Sequence, residues 1–397
     1  MRIGVLVDRG RAYGRRLCEG VAAYATARGG WELTTLDYDS FETRGFDAFI
    51  ARVLDRRIMK KLKAVGKPVV DVYCALPCAD FLHVDGDQVE EGRQAARYFI
   101  EHRFENFAFC GYDGVAFSDK RKRGFAEELA RHGRTCDCYR SPAPVRENFN
   151  ATVLKNEQLS LGPDVREMSA WLRAVRKPAA VLCAHDLRAY QLAQICRERK
   201  IDVPRDVAIL GCDDDALVCA FASVAISSSD PNAFEIGRLA AEKLDGLMAR
   251  RTAGKCSGET FLVPPAGIVE RRSTEVYPVN PPWLSDALVY IRRHVTDNIT
   301  ASDVYAHLKL SHTPVDTAFR KTLGSSVQKE IIRCRLDEAC RLLRQDDLPV
   351  GVVAKRSGFS SGEYFFHSFA DKFGMSPTEY RVRARDSRSS CRKGEDA

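Results

Sequence analysis

Residues 348–383 read LPVGVVAKRSGFSSGEYFFHSFADKFGMSPTEYRVR. Val350, Val352, Val353 and Ala354 give a short helix an apolar patch. Lys355-Arg356-Ser357-Gly358 ends it, with Gly358 where a left-handed residue closes a helix. Phe359 turns back onto the core, and Ser360 with Glu363 three residues on makes a candidate capping box for the next helix. Phe365, Phe366, Phe369 and Phe373 recur at helical spacing and predict its buried stripe. Ser361, Gly362, Tyr364, His367 and Ser368 are left to face outward. Ser376-Pro377-x-Glu379 opens a third helix with proline in its first turn. A helix, a tight turn and a second helix with short polar side chains at its N-terminal end is the shape that enters a DNA major groove.

A comparable unit lies upstream. Thr300-x-x-Asp303 caps a helix carrying Val304, Ala306 and Leu308, Leu310-Ser311 makes the turn, and a second helix runs from about His312 to Gly324. Val327–Arg344, with Ile331, Leu336, Ala339, Leu342 and Leu343 as its apolar face, joins the two units. The pattern resembles the AraC/XylS family of transcription regulators, on Val353-Ala354, Gly358-Phe359-Ser360-Ser361, Tyr364-Phe365, Phe369, Lys372-Phe373-Gly374, Ser376-Pro377 and Tyr380-Arg381. Arg335-Leu336-x-x-Ala339-x-x-Leu342-Leu343 resembles that family's connecting helix. The resemblance implies two reading helices in successive major grooves about 34 Å apart. It points to His312, Thr313, Arg320 and Lys321 in the first unit as DNA-binding residues. In the second it points to Ser360, Ser361, Gly362, Tyr364, His367, Lys372 and Arg381. The first reading helix departs from the family pattern: it begins His312-Thr313-Pro314-Val315-Asp316, and Asp316 opposes phosphate.

Charge supports a DNA role only weakly. Residues 281–397 hold 19 Lys+Arg against 15 Asp+Glu, and the whole chain carries a formal +7. Arg381, Arg383, Arg385, Arg388, Arg392 and Lys393 make a basic C-terminus, expected to be a disordered tail over 386–397.

The 397 residues suit two or three domains, and no run approaches the ~18 apolar residues of a membrane span. MRIGVLVDRG reads as a buried strand rather than a secretion signal, so a cytoplasmic protein is expected. Fourteen cysteines are scattered; Cys136-x-Cys138 and Cys74-x3-Cys78 lack a second pair or a neighbouring histidine group that would complete a tetrahedral metal site, and no metal or cofactor is expected.

Residues 1–272 alternate short apolar runs with helical patterns. Strands are predicted at Ile3–Val7, Ala48–Ala51, Val69–Val72, Phe107–Cys110, Ala179–Ala184 and Val207–Gly211. Helices are predicted at Gly14–Arg28, Gln88–His102, Asp119–His132, Val165–Val175, Leu187–Arg199 and Ala233–Arg250. Such βαβ alternation predicts doubly wound parallel sheets, and this length accommodates two lobes. Ligands of open parallel sheets bind at the C-terminal ends of the strands, so a small molecule is expected in the cleft between lobes.

This part resembles the LacI/GalR-type sugar-binding core, whose fold is that of periplasmic binding proteins. The matching stretches are Val84-Asp85-Gly86-Asp87 with Gly92, Ser118-x-x-Arg121-x-x-Gly124-Phe125, Ala184-His185-Asp186, Asp202-Val203-Pro204 through Asp213-Asp214, and Ile236-Gly237. A LacI-type core followed by an AraC-type reader resembles the regulators of xylose operons, which implies a pentose effector, most simply D-xylose. The expected architecture is therefore α/β, a two-lobed periplasmic-binding-protein-like core over 1–275, followed by an all-α double helix-turn-helix domain over 284–385, with reading units at about 300–324 and 350–373. Residues 276–283 form the expected linker, and the prolines from Pro264 to Pro282 suggest that the segment before the reader is stiff.

A neutral sugar is held by carboxylates and guanidinium groups, with an aromatic ring against its C–H face. Strand ends supply these types: Arg11 and Tyr13, Arg52, Arg121, Asp186, Asp213, and Asp230 with Asn232 at a crossover. The family resemblance implies sugar contacts at Arg121, Asp186 and Asp213. Asp186 can also be read as the cap of a helix beginning at Leu187. The expected partners are a monosaccharide, double-stranded operator DNA, RNA polymerase if the protein activates, and a second copy in a homodimer. No phosphate-binding glycine loop and no catalytic triad or carboxylate pair can be assigned, so no catalytic residue is expected. Two rival classes are a transport binding protein and a DNA-repair alkyl acceptor using Cys136 or Cys138.

Overall fold

The structure is a computed structural model that describes residues 1–38, 40–139, 141, 164–249, 258–345 and 348–390. The chain divides into two units, the larger holding Met1–Glu101 and Glu105–Thr274 and the smaller holding Glu275–Arg392.

The larger unit contains two six-stranded sheets, in the orders β11-β5-β4-β3-β1-β2 and β12-β10-β9-β8-β6-β7. The first lobe's strands are β1 (Arg2–Leu6), β2 (Glu32–Thr35), β3 (Ala48–Ala51), β4 (Val69–Asp71), β5 (Leu82–Gly86) and β11 (Thr260–Val263). The second lobe's are β6 (Asn106–Cys110), β7 (Cys136–Tyr139), β8 (Ala179–Cys183), β9 (Val207–Cys212), β10 (Ser227–Asp230) and β12 (Gly267–Val269). Every pairing is parallel except β10 with β12. The central strands β3, β8 and β9 are buried along their whole length, which is why they appear in sequence as unbroken apolar runs.

Among the described residues the helices of this unit are α1 (Ala12–Arg28), α2 (Arg56–Val65), α3 (Gln88–Glu101), α4 (Ala116–Arg131), α5 (Val165–Ala174), α6 (Asp186–Glu198), α7 (Ala216–Phe221) and α8 (Ala233–Ala249). Two helix pairs pack so closely that only glycine fits at their crossings. A Cβ on Gly237 of α8 would lie 1.9 Å from the Leu17 carbonyl oxygen of α1, and one on Gly124 of α4 would lie 1.9 Å from that of Val89 in α3.

Among the described residues the chain crosses between lobes three times, after β5, after β10 and after β11. The crossings are bonded together: Asp87 N–H donates to the Val263 carbonyl at 2.8 Å, Ala266 N–H to that of Asp230 at 2.9 Å, and Asn232 Nδ2 to that of Pro264 at 3.4 Å. Pro264 and Pro265 are therefore not linker residues; they join β11 to β12 inside the core. Between the 3-10 turn Arg272–Thr274 and the next helix only residues 275–281 lack regular structure.

The smaller unit is all helical: α9 (Pro282–Arg293), α10 (Ala301–Leu308), α11 (His312–Leu323), α12 (Val327–Gln345), α13 (Val350–Arg356), α14 (Gly362–Phe373) and α15 (Pro377–Ser390). Two apolar clusters form it. The first half of α12 gives Val327, Ile331 and Cys334 to the cluster around Val315 and Phe319. Its second half gives Leu336, Ala339, Leu342 and Leu343 to the cluster around Phe365 and Phe369. One helix thus staples two helix-turn-helix units together. The helix α15 continues to Ser390, so residues 386–390 of the expected disordered tail are helical, and 391–397 lie outside the described residues.

Candidate ligand cleft and nucleic-acid interface

The C-terminal strand ends of both sheets converge on a cavity. From the first lobe come Asp8 and Arg11 after β1, Tyr13 in the first turn of α1, Arg52 after β3, Tyr73 after β4, and Asp85 at the end of β5. Gln88 opens α3, Phe117 and Arg121 lie on α4, and His185 and Asp213 follow β8 and β9. A wider mouth adjoins it, sharing Arg11, Tyr13, His185 and Asp213 and adding Asp186, Asp215 and Leu217.

Arg121 is the most constrained member. Its Nε donates to Glu91 Oε2 at 2.7 Å, a second nitrogen to the Ala184 carbonyl, and a third to Asp213 Oδ1 at 3.2 Å. Its guanidinium lies over the Phe117 ring, 5.3 Å from the centroid. Burial opposes this charge, but Glu91 foremost and Asp213 as well hold the group protonated far above its usual value. Arg52 stacks on Tyr73 at 4.6 Å and on Tyr13 at 5.4 Å. The buried Arg52 Nε and Gln88 Oε1 find no hydrogen-bond partner among the described residues, and both residues line the cavity. Buried polar atoms left open in this way mark where a ligand's own donors and acceptors fit.

His185 is the N-cap of α6: its Nδ1 accepts the Arg188 N–H at 3.0 Å, which makes Nε2 the protonated nitrogen. Burial, then the charges of Arg11, Arg188 and Arg121, push its pKa well below the ordinary value, so it is neutral. Burial raises Asp85 to about 6, although Lys120 at 3.4 Å opposes the shift.

The sequence-predicted cleft residues divide. Arg11, Tyr13, Arg52, Arg121 and Asp213 meet in the cavity. Asp186 reaches only its mouth; its carboxylate accepts the Ser228 hydroxyl at 2.5 Å and the Asp215 N–H at 2.7 Å, and the helix cap is His185, not Asp186. Asp230 and Asn232 are not among the lining residues. Asp230 pairs with Arg16 at 3.5 Å and caps the Asn232 N–H at 2.8 Å, which ties both to the crossing segments. Asp8, Tyr73, Asp85, Gln88, Phe117 and His185 were not expected. Asp85 and His185 stood inside motifs already noted, and Asp8 and Tyr73 sit just beyond predicted strands, so position alone could have found them; Gln88 follows β5, which leaves no apolar run in the sequence.

In the smaller unit, His312, Thr313, Arg320 and Lys321 are exposed on α11, while Asp316 accepts the Tyr305 hydroxyl at 3.2 Å instead of facing out freely. On the second unit Ser360, Ser361, Gly362, Tyr364 and His367 are exposed. The cap of α14 is Ser361, whose hydroxyl accepts the Tyr364 N–H at 3.3 Å, one residue later than expected for Ser360. Phe366 does not belong to the buried stripe: it is 43% exposed beside Tyr364, because it lies about 100° round the helix from Phe365, at the edge of the face that Phe365 and Phe369 bury. Val352 of the first helix is also exposed. Two expected contacts are engaged internally: Lys372 Nζ pairs with Asp337 at 2.8 Å, and Arg381 donates to the Leu348 carbonyl at 2.5 Å. No helix among the described residues is long and apolar enough to cross a membrane.

Comparison with known proteins follows the same division. The periplasmic binding protein-like domain family matches residues 96–274, and a helix-turn-helix domain family matches 305–383. The chain is 24% identical over 394 residues to the xylose operon regulatory protein of Haemophilus influenzae, covering 96% of this chain and 98% of that protein. It is also 24% identical over 393 residues to the protein of that name from Escherichia coli K12, covering 96% of each. A solved structure of the xylose-binding transcription activator xylR aligns over 96% of this chain and 98% of that one, with 25% identity and a TM-score of 0.58. The core alone aligns with a ribose-bound LacI family regulator from Enterococcus faecium, over 70% of this chain and all of that one, at 18% identity and a TM-score of 0.54. The chain is a homologue of the xylose operon regulatory proteins, a two-part transcription regulator whose periplasmic-binding-protein-like core precedes an AraC-type DNA-binding domain.

Proposed function

We propose that the protein is a sugar-responsive transcription regulator that binds a pentose, D-xylose in the simplest case, in the cleft of the core and operator DNA through α11 and α14. One observation carries the ligand class: the cavity sets Arg11, Arg52 and Arg121 against Asp8, Asp85 and Asp213, with tyrosine and phenylalanine rings between them. Balanced charge suits a neutral polyhydroxyl ligand, whereas a sugar phosphate needs excess cation. The open Arg52 Nε and Gln88 Oε1 supply a donor and an acceptor for hydroxyls. Similarity to a protein named as a xylose-binding activator favours activation, with RNA polymerase as a further partner. Such a regulator acts in the cytoplasm, and a homodimer presents two readers to repeated half-sites.

Calorimetric titration with D-xylose, L-arabinose, D-ribose and D-glucose, followed by selection of bound duplexes from a random library with and without the tightest sugar, tests the reading. Saturable binding of one pentose together with sugar-dependent enrichment of a repeated sequence is expected. Binding of D-glucose alone would overturn the pentose assignment, and enrichment indifferent to every sugar would overturn the regulatory link.

A further inference from the structure

A cluster of ligating side chains lies beside the cleft and takes no part in it. Asp71 ends β4, His83 lies on the adjacent strand β5, and the two are register partners in the parallel ladder. Side chains paired across neighbouring strands share a face. His83 Nδ1 accordingly stands 3.2 Å from Asp71 Oδ2. The loop leaving β4 brings in Cys74, held with φ +50, a backbone conformation rarely adopted by a non-glycine residue. Its N–H donates to Asp71 Oδ2 at 3.2 Å. One ligand atom from each of Asp71, Cys74 and His83 lies within 4.8 Å of the others.

We propose that Asp71, Cys74 and His83 form a binding site for a borderline-soft divalent cation of the zinc type. The donor set is a thiolate, an imidazole and a carboxylate, which selects Zn²⁺ over Mg²⁺ or Ca²⁺. Ligand atoms around a tetrahedral zinc stand roughly 3.3–3.8 Å apart, so a closure of about 1 Å completes the set. His83 is already oriented for the role: its Nε2 donates to the Cys78 carbonyl oxygen at 3.0 Å, and its Nδ1 faces Asp71 Oδ2, so an ion would displace the proton that Nδ1 gives to Asp71 without turning the ring. A metal-binding histidine is held in this way by its outer nitrogen. An open pocket lined by Cys74, Cys78, His83 and Thr260 gives the ion an entry path and room for a fourth ligand, water or the Cys78 thiol. The set spans only residues 71–83 of the sequence, and the pairing of β4 with β5 brings His83 back beside Asp71.

The site shares a wall with the cleft. Asp71 Oδ1 accepts the Val53 N–H at 3.1 Å and the Tyr73 N–H at 3.0 Å, which places the ion behind the segments carrying Arg52 and Tyr73. The proposal does not rest on the sugar reading.

The test uses the full chain, purified under reducing conditions and titrated with Co²⁺, then with Zn²⁺ as competitor. One equivalent of Co²⁺ should produce a thiolate-to-cobalt charge-transfer band that Zn²⁺ abolishes. Cys74→Ser and His83→Gln should each remove the band and weaken Zn²⁺ binding at least about tenfold. Cys138→Ser, outside the cluster, should leave both unchanged. Absence of the band in the unmodified chain, its survival in Cys74→Ser, or its loss in Cys138→Ser would overturn the assignment. Cys74 is a loop residue, so that variant decides even where His83→Gln fails to fold.

Discussion

Arg121 and Asp213 meet at 3.2 Å on the cleft wall, while the same guanidinium holds the buried Glu91 at 2.7 Å. The two carboxylates differ in what their loss does. Asp213→Asn takes an anionic acceptor from the cleft but leaves Arg121 paired. Affinity for the pentose should fall by about 1.5–3 kcal/mol, as for a lost charge-assisted hydrogen bond. Melting temperature should barely move. Calorimetry showing unchanged affinity would remove Asp213 from the binding set.

Arg121→Met strands Glu91 in the interior. Breaking a buried pair from one side costs about 3–5 kcal/mol. Urea unfolding should show that loss, and the double variant with Glu91→Leu should recover much of it. A single variant as stable as the parent would show the pair to be energetically idle.

Gly358 carries φ +85, and a Cβ there would sit 2.1 Å from the Val295 carbonyl oxygen. Gly358→Ala should therefore destabilise the smaller unit by more than the ~1–3 kcal/mol of a strained backbone alone. DNA binding should fail at temperatures where sugar binding is intact. Mobility-shift and calorimetric measurements on the same preparation separate the two.

Phe366 stands exposed at the outer face of α14, next to His367. Phe366→Ala should leave thermal stability within about 0.5 kcal/mol, as for an ordinary surface position. It should weaken specific DNA binding by about 1–3 kcal/mol, a single base contact's worth. Equal weakening on random-sequence DNA would place the ring outside base readout.

Two helix caps give the smaller unit an acid limit. Asp303 accepts the hydroxyl and N–H of Thr300, both at 2.7 Å, and Glu379 accepts the Ser376 N–H at 2.7 Å. These hydrogen bonds hold both carboxyls below their ordinary range. A depressed folded pKa contributes stability that is present above the unfolded value of ~4 and is lost as pH falls through the folded one. Melting temperature should drop as pH falls from about 4.5 to 3. Asp303→Asn with Glu379→Gln should flatten that dependence.

Legibility in the sequence followed burial. β3, β8 and β9 announced themselves because both faces are covered. β10 did not: its Ser227, Ser228 and Ser229 are fully buried yet polar, and Ser227 and Ser228 are satisfied by Thr274, Arg271 and Asp186 rather than by apolar neighbours. The half-exposed edge strands β2 and β7 also left no apolar run. In the cleft, Arg11, Arg52 and Asp213 were found at the ends of recognisable strands, Asp8, Tyr73 and His185 at the same kind of position were overlooked, and Gln88 was hidden because β5 reads LHVDG. Gly124 and Gly237 were noticed inside sugar-binding motifs, but their work is helix packing. In α14 a position about 100° round the helix from Phe365 was enough to leave Phe366 at the surface.

The three crossings also set an order on the ribosome. The face of β3, β4 and β5 that α8 covers, and the β5 edge that β11 completes, wait for residues made after most of the second lobe. The first-made strands therefore emerge with Ile50, Val70 and Val84 uncovered until α8 follows. Such an intermediate exposes apolar surface and an unpaired edge, the features that recruit chaperones or lead to aggregation. A chain cut anywhere before α8 would be left in that state, so neither lobe is a unit that evolution or an engineer can simply detach.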